Sequence, residues 1–309
     1  LGGGAFAGTF TATAENRPDA VQAIEAGPSG IFAEAWQTMR LWYQSMTRPE
    51  AWPGYNARLR QVLASACDPG TEIEVHGITV RGGVGDQYRY LEFIETQEVL
   101  DNVQRATREG FDAFLIGNIG DPGLREAREL TSIPVLGLCE TSSLMACTMG
   151  ANFALVTGNA KHAPKIVENI GRYGLRERLH SVERMTVERL VDLDAGFVDP
   201  VVRARLRDEF IAAARRCSEA GAEVVIPAVG VLMTLLAEEE IFEVDQTVPI
   251  LNGVYALVKS GEAAVRTRAL MKGNWTSKRA MFAPPPPSQM DEIRAYYGDV
   301  YPQPKGRTP

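Results

Sequence analysis

The segment Gly110–Thr141, GFDAFLIGNIGDPGLREARELTSIPVLGLCET, constrains this chain more than any other stretch. It reads as an apolar strand over Phe111–Gly117, a tight loop over Asn118–Gly123, a short charged helix over Leu124–Leu130 and a second apolar strand over Ile133–Leu138. The apolar runs are too short for core helices and are punctuated by Gly and Pro, so buried strands are the better assignment. Parallel strands require a crossover between them, and the charged helix supplies one. The polar residues then collect at the carboxyl ends of the strands, at Asn118–Asp121 and Cys139–Ser143. Open α/β sheets bind their ligands there.

The pattern returns about a hundred residues later as GAEVVIPAVGVLMT (Gly221–Thr234), an acidic helix and VPILNGV (Val248–Val254). Laying Gly110 on Gly221 places Asn118 on Val229, and Ile133-Pro134 corresponds to Val248-Pro249. The expected fold class is therefore α/β with an internal duplication into two similar parallel-sheet lobes. The alternative is two unrelated βαβ units.

The segments GDPGLREAREL, IPVLGLCE, FALVTGN and GAEVVI…VPILNG, in this order, resemble the aspartate/glutamate racemase superfamily, and within it most closely the hydantoin racemases. The resemblance runs from about Arg40 to Lys272. It implies a small-molecule cleft between the lobes, with one cysteine from each lobe working on opposite faces of an acidic carbon. This chain departs from that pattern twice: Asn118 stands at the first cysteine position and Val229 at the second. Two-base thiol chemistry needs a thiolate and a thiol, and neither residue supplies one. The resemblance also implies substrate contacts from Gln44 and Thr47 after the first strand and from Thr157, with Ile119, Gly120, Gly158, Val229 and Gly230 as neighbouring candidates. Thr141 is a further binding candidate, because the N–H groups and hydroxyls at the expected helix start suit a carboxylate or an oxyanion.

Composition narrows the partners. The 309 residues are 45% hydrophobic and 23% charged, enough for two sizeable cores. A net charge of −7 without a basic stripe argues against nucleic acid. No apolar run reaches membrane-spanning length. Four scattered cysteines point to a reducing cytoplasm, and three unpaired histidines argue against a histidine metal site. The Gly-rich loop RGGVGDQYRY (Arg81–Tyr90) lacks the Lys-Ser/Thr of a phosphate loop, and no cofactor is expected. It reads as a flap, with Asp86, Tyr88 or Tyr90 able to reach a ligand, or as a plain surface turn. The divisions are an N-terminal arm (1–37), a first lobe (38–150), a second lobe (151–272) and a Pro-rich tail (273–309) that wraps the body or a neighbouring copy, which points to a homo-oligomer. His162, with Lys161, reads as a capping or exposed residue, and Val254–Leu270 as a helix closing the second lobe.

With both cysteine positions occupied by other residues, Glu140, Cys139 and Asn118 are the catalytic candidates. Cys139 near a helix start could carry a lowered pKa, and a partly buried Glu140 a raised one. Cys139 could equally pack as a small hydrophobe, and Glu140 could cap the helix. Asn118 could donate to a developing negative charge. Three functions stay open. One is a superfamily isomerase, lyase or hydrolase with changed chemistry on a small anionic carboxylate or hydantoin-like cyclic amide. The others are a binding protein that kept the cleft, and an ordinary racemase with its cysteines elsewhere.

Overall fold

The computed structural model describes residues 38–84 and 87–302; the expected arm at 1–37, Asp86 and the last residues of the tail lie outside them. Two parallel sheets form the frame. The first has the order β2-β1-β3-β4, with β1 Met39–Gln44, β2 Thr71–His76, β3 Ala113–Ile116 and β4 Val135–Gly137. The second has the order β6-β5-β7, with β5 Phe153–Thr157, β6 Leu179–Arg184 and β7 Val225–Pro227. The expected strand Val248–Val254 shrinks to two isolated bridges, Pro249 with Glu243 and Ile250 with Val225, the latter in the position that would make the second sheet repeat the first. It stops there because Asn252 caps the next helix, its side chain accepting from the N–H groups of Val254 and Tyr255.

The helices are α1 Pro53–Ala66, α2 Arg89–Glu109, α3 Leu124–Leu130, α4 Leu138–Met149, α5 Ala163–Arg172, α6 Pro200–Glu219, α7 Gly230–Glu238, α8 Gly253–Met271 and α9 Met290–Tyr297. Strands β1, β3 and β5 are buried along nearly their whole length, as continuous apolar runs in a parallel sheet must be. Leu41, Tyr43, Leu115 and Phe153 lie in one core with Leu155, Ile226 and Leu257. Each such aliphatic side chain contributes about 1.5–3 kcal/mol by leaving water.

Two elements differ from the sequence reading in ways that matter. Helix α8 does not close the second lobe; it packs on β3 of the first, so closely that a Cβ on Gly261 would sit 2.8 Å from Leu115. Helix α4 begins at Leu138, four residues before the expected start at Ser142. Its first turn is nucleated by Asp121, whose carboxylate oxygens each accept at 2.9 Å, from the N–H of Cys139 and of Glu140. Asp121 adopts a left-handed φ of 46° to bring its side chain there, a conformation Asp tolerates better than most residues. Helices α4 and α8 thus carry the chain across between the sheets. The tail packs on the first lobe, where Lys278 Nζ donates to the carbonyls of Arg128 at 2.7 Å and Thr131 at 2.6 Å, at the end of α3.

Candidate functional site

The carboxyl ends of β1, β3, β5 and β7 converge on one cavity of about 30 Å³. Asn118 and Ile119 reach it from the loop after β3, and Val229, Gly230 and Val231 from the start of α7. Ser45, Met46 and Thr47 follow β1, while Trp52 and Tyr55 come from the start of α1. His162 and Leu190 complete the wall. The superposition made from sequence, Asn118 on Val229, therefore brings the two residues to one cavity from two sheets. The residues that line it include no cysteine.

The polar groups are held in place. Asn118 turns its Oδ1 back to accept from the N–H of Gly120 at 2.7 Å, and the other end of its amide is a donor by nature. Thr47 Oγ1 shares a 2.8 Å hydrogen bond with Ser45 Oγ and donates to Asn56 Oδ1. Tyr55 is placed by Asp194, whose carboxylate accepts from the N–H of Tyr55 at 2.7 Å and caps α1. Its hydroxyl hydrogen-bonds Tyr43 and lies 3.7 Å from where a Cβ on Gly230 would be. His162, only 3% exposed, is fixed through its N–H to Asn159 Oδ1 at 3.1 Å. The first N–H groups of α7, those of Gly230 and Val231 among them, have no partner within the helix, and both residues line the cavity.

Several sequence-predicted residues are elsewhere. Cys139 is buried beneath Asp121, and burial, reinforced by the Asp121 carboxyl, pushes its thiol well above the usual range. It packs as a small hydrophobe. Glu140 forms a two-pronged ion pair with Arg128 and faces, with Thr141, a separate depression beside Leu144 and Trp275. The early start of α4 accounts for both: as helical residues they point inward and outward from α4 instead of along a strand-end loop. Gln44 is also turned away, its Oε1 accepting from Trp42 and Asn102. Thr157 Oγ1 bonds back to its own loop at Asn159, and Gly158 lies under Leu190 and Val229 at the rim. Gly120 belongs to the flank outside Asn118, and Tyr88 and Tyr90 are exposed and do not line the cavity. Thr47, Asn118, Ile119, Val229 and Gly230 are brought together in the cavity wall.

Sequence reasoning missed His162, Tyr55, Trp52 and Leu190 as cavity residues. For His162 a signal existed, since it follows the loop at the carboxyl end of β5. Among the described residues no group of three or more His, Cys, Asp or Glu side chains is placed to hold a metal ion.

Over residues 55–261 the chain matches the family model described as Asp/Glu/hydantoin racemase. The chain belongs to that family. A hydantoin racemase of Pseudomonas sp. (strain NS671) is 30% identical over 177 residues, covering 57% of this chain and 67% of that protein. One from Rhizobium meliloti is 29% identical over 189 residues, or 60% and 72% of the two chains. Allantoin racemase from Klebsiella pneumoniae superposes with a TM-score of 0.65 at 22% identity, over 80% of this chain and 94% of that one. Glutamate racemase isoform RacE1 from Bacillus anthracis gives 0.52 at 12%, over 88% and 98%. These structures show the shared two-lobed racemase fold. In this family member the four cysteines (Cys67, Cys139, Cys147 and Cys217) lie elsewhere than the cavity wall.

Proposed function

We propose that this racemase-family protein is an enzyme that moves a proton at the acidic carbon of a small carboxylate or hydantoin-like cyclic amide without thiols. The reaction class is isomerase, lyase or hydrolase. One observation carries the reading: the cavity that holds Asn118 and Val229 contains no cysteine, yet it holds two other ionisable side chains, His162 and Tyr55.

The chemistry runs from those residues. His162 accepts the proton from the acidic carbon, and the bonding pair moves onto the adjacent carbonyl as an enolate. The amide NH₂ of Asn118 and the first N–H groups of α7 donate to the enolate oxygen. Return of a proton from His162 or Tyr55 then fixes the product. Ser45 and Thr47 orient the substrate, and Val229, Leu190 and Trp52 exclude water. The apolar Val229 leaves one face of the carbon without a base, which favours an outcome other than symmetric racemisation.

The test is proton exchange in D₂O by NMR, with hydantoins, amino acids and substituted malonates as substrates. Wild type exchanges or consumes one class, and Asn118→Ala and His162→Gln lose that signal. Asn118→Cys/Val229→Cys gains racemisation of the same class if the cleft has kept its substrate. Ligand line-broadening without exchange in any compound makes the protein a binding protein instead.

A further inference from the structure

The cavity of about 30 Å³ admits one or two waters and no organic ring. Small-molecule sites occupy about 300–1,000 Å³, so the cleft opens before anything binds. On one side the lobes are joined by the chain itself, through α4 and the segment leading into α8, and by α1 packed on α7 and on the stretch 190–197. On the flank formed by α5 they are joined by polar contacts and by the ring of Tyr173.

Lys165 of α5 forms an ion pair with Glu92 of α2, and the two side chains are only 15% and 11% exposed. Around them Arg89 Nη2 donates to Glu168 at 2.5 Å, Asn169 Nδ2 to the carbonyl of Gly120 at 2.7 Å, and Asn159 Nδ2 to Gln87 Oε1 at 3.0 Å. Tyr173 donates to Asp121 at 2.6 Å. Each contact joins the stretch 159–173 to the first lobe.

The pair also adjoins the cavity wall. A Cβ on Gly120 would lie 2.8 Å from Asn118 Oδ1, 2.9 Å from Lys165 Nζ and 3.2 Å from Glu92 Oε2. The three groups thus surround one point on the loop that carries Asn118. Outside the pair runs a groove of about 630 Å³, with Glu92, Lys165, Gly120 and Asn169 in its wall. Buried ion pairs contribute little net stability, because desolvation offsets their attraction. Here the groove offers both ions water as soon as they part. Lysine in the first turn of α5 is also disfavoured by the helix dipole, so the contact with Glu92 offsets a local penalty.

We propose that the Lys165–Glu92 pair, flanked by Glu168 and Asn159, is an interlobe latch whose opening admits a ligand past Gly120 into the cavity. This holds whether or not the cleft is catalytic, and it is read out without a substrate.

The cavity residue Trp52 is 3% exposed and reports opening. In a Trp36→Phe/Trp275→Phe background the remaining emitters are Trp52 and Trp42, the latter fully buried in the first sheet. Acrylamide quenching is then compared between that protein, Lys165→Met, Glu168→Gln, Lys165→Arg and Leu190→Ala. The latch predicts a quenching constant raised about threefold in Lys165→Met, as expected when an open minor state becomes a major one. It predicts a smaller rise in Glu168→Gln and a value near wild type in Lys165→Arg. Quenching that rises in Leu190→Ala but stays at the wild-type value in Lys165→Met and Glu168→Gln overturns the proposal, because the segment around Leu190 is then the gate. Should Lys165→Met fail to fold, the exposed Glu168→Gln decides alone: an unchanged constant there overturns the latch.

Discussion

The commitment of Glu140 to Arg128 and the proposed role of His162 as a base predict opposite behaviour for variants at the two positions. Glu140 sits in the motif LCET, where a strand-end carboxylate would serve as an acid or base, but its carboxylate is committed to Arg128 away from the cavity. His162, which reads from sequence as a capping or exposed residue, lines the cavity. Glu140→Gln is expected to leave proton exchange within about twofold of wild type and to lower stability by about 2 kcal/mol through the weakened contact with Arg128. His162→Gln is expected to reduce exchange by about 100-fold or more, the usual contribution of a general base. NMR exchange rates and urea denaturation of both variants check the pair of outcomes. Equal losses in the two would return the catalytic role to Glu140.

At the scale of elements, the start of α4 depends on a single carboxyl group. Burial pushes Asp121 from 3.8 up to about 7, against the opposing hydrogen bonds from Tyr173 and the N–H groups of Cys139 and Glu140. Because the folded protein holds this proton more tightly than the unfolded chain, the stability it contributes is complete below about 3.8 and is lost as pH rises through about 7. Asp121→Asn cannot titrate and also gives up one of the two helix-capping acceptors. The difference in unfolding free energy between wild type and Asp121→Asn is therefore expected to shrink from pH 4.5 to pH 8 in urea titrations. A difference that grows with pH would mean that the capping N–H groups, not burial, govern the carboxyl.

Across the whole molecule, the tail and the cavity are separable. Lys278 closes the carbonyl end of α3, and Tyr301 donates to Glu129 at 2.7 Å, so residues 275–302 strap the outer face of the first lobe. The residues described around the cavity all precede residue 232. Truncation after Gly273 is expected to lower the thermal midpoint by several degrees, as loss of about 1–2 kcal/mol would. Ligand binding to the cleft, followed by NMR line-broadening, is expected to persist at temperatures where the truncated protein is folded. Loss of both together would show that the strap also shapes the cleft.

The parallel α/β class, the repeat of one lobe pattern in the other, and the correspondence of Asn118 with Val229 were legible in the sequence. These follow from local signals: short apolar runs, Gly and Pro punctuation, and one spacing used twice. Helix α3, read as Leu124–Leu130, is found with those bounds, because a Gly-ended turn before it and the Thr-Ser-Ile-Pro run after it are encoded nearby. Tertiary structure alone decided which polar residues face the cavity. A carboxylate from the loop after β3 starts α4 four residues early, turning Cys139 into the core and Glu140 outward. Asp194, far along the chain, caps α1 and aims Tyr55. Helix α8 returns to β3 because Gly261 allows close approach to Leu115. Each depends on a contact between residues distant in sequence, and no periodicity or spacing within one segment records which distant partner a side chain will meet.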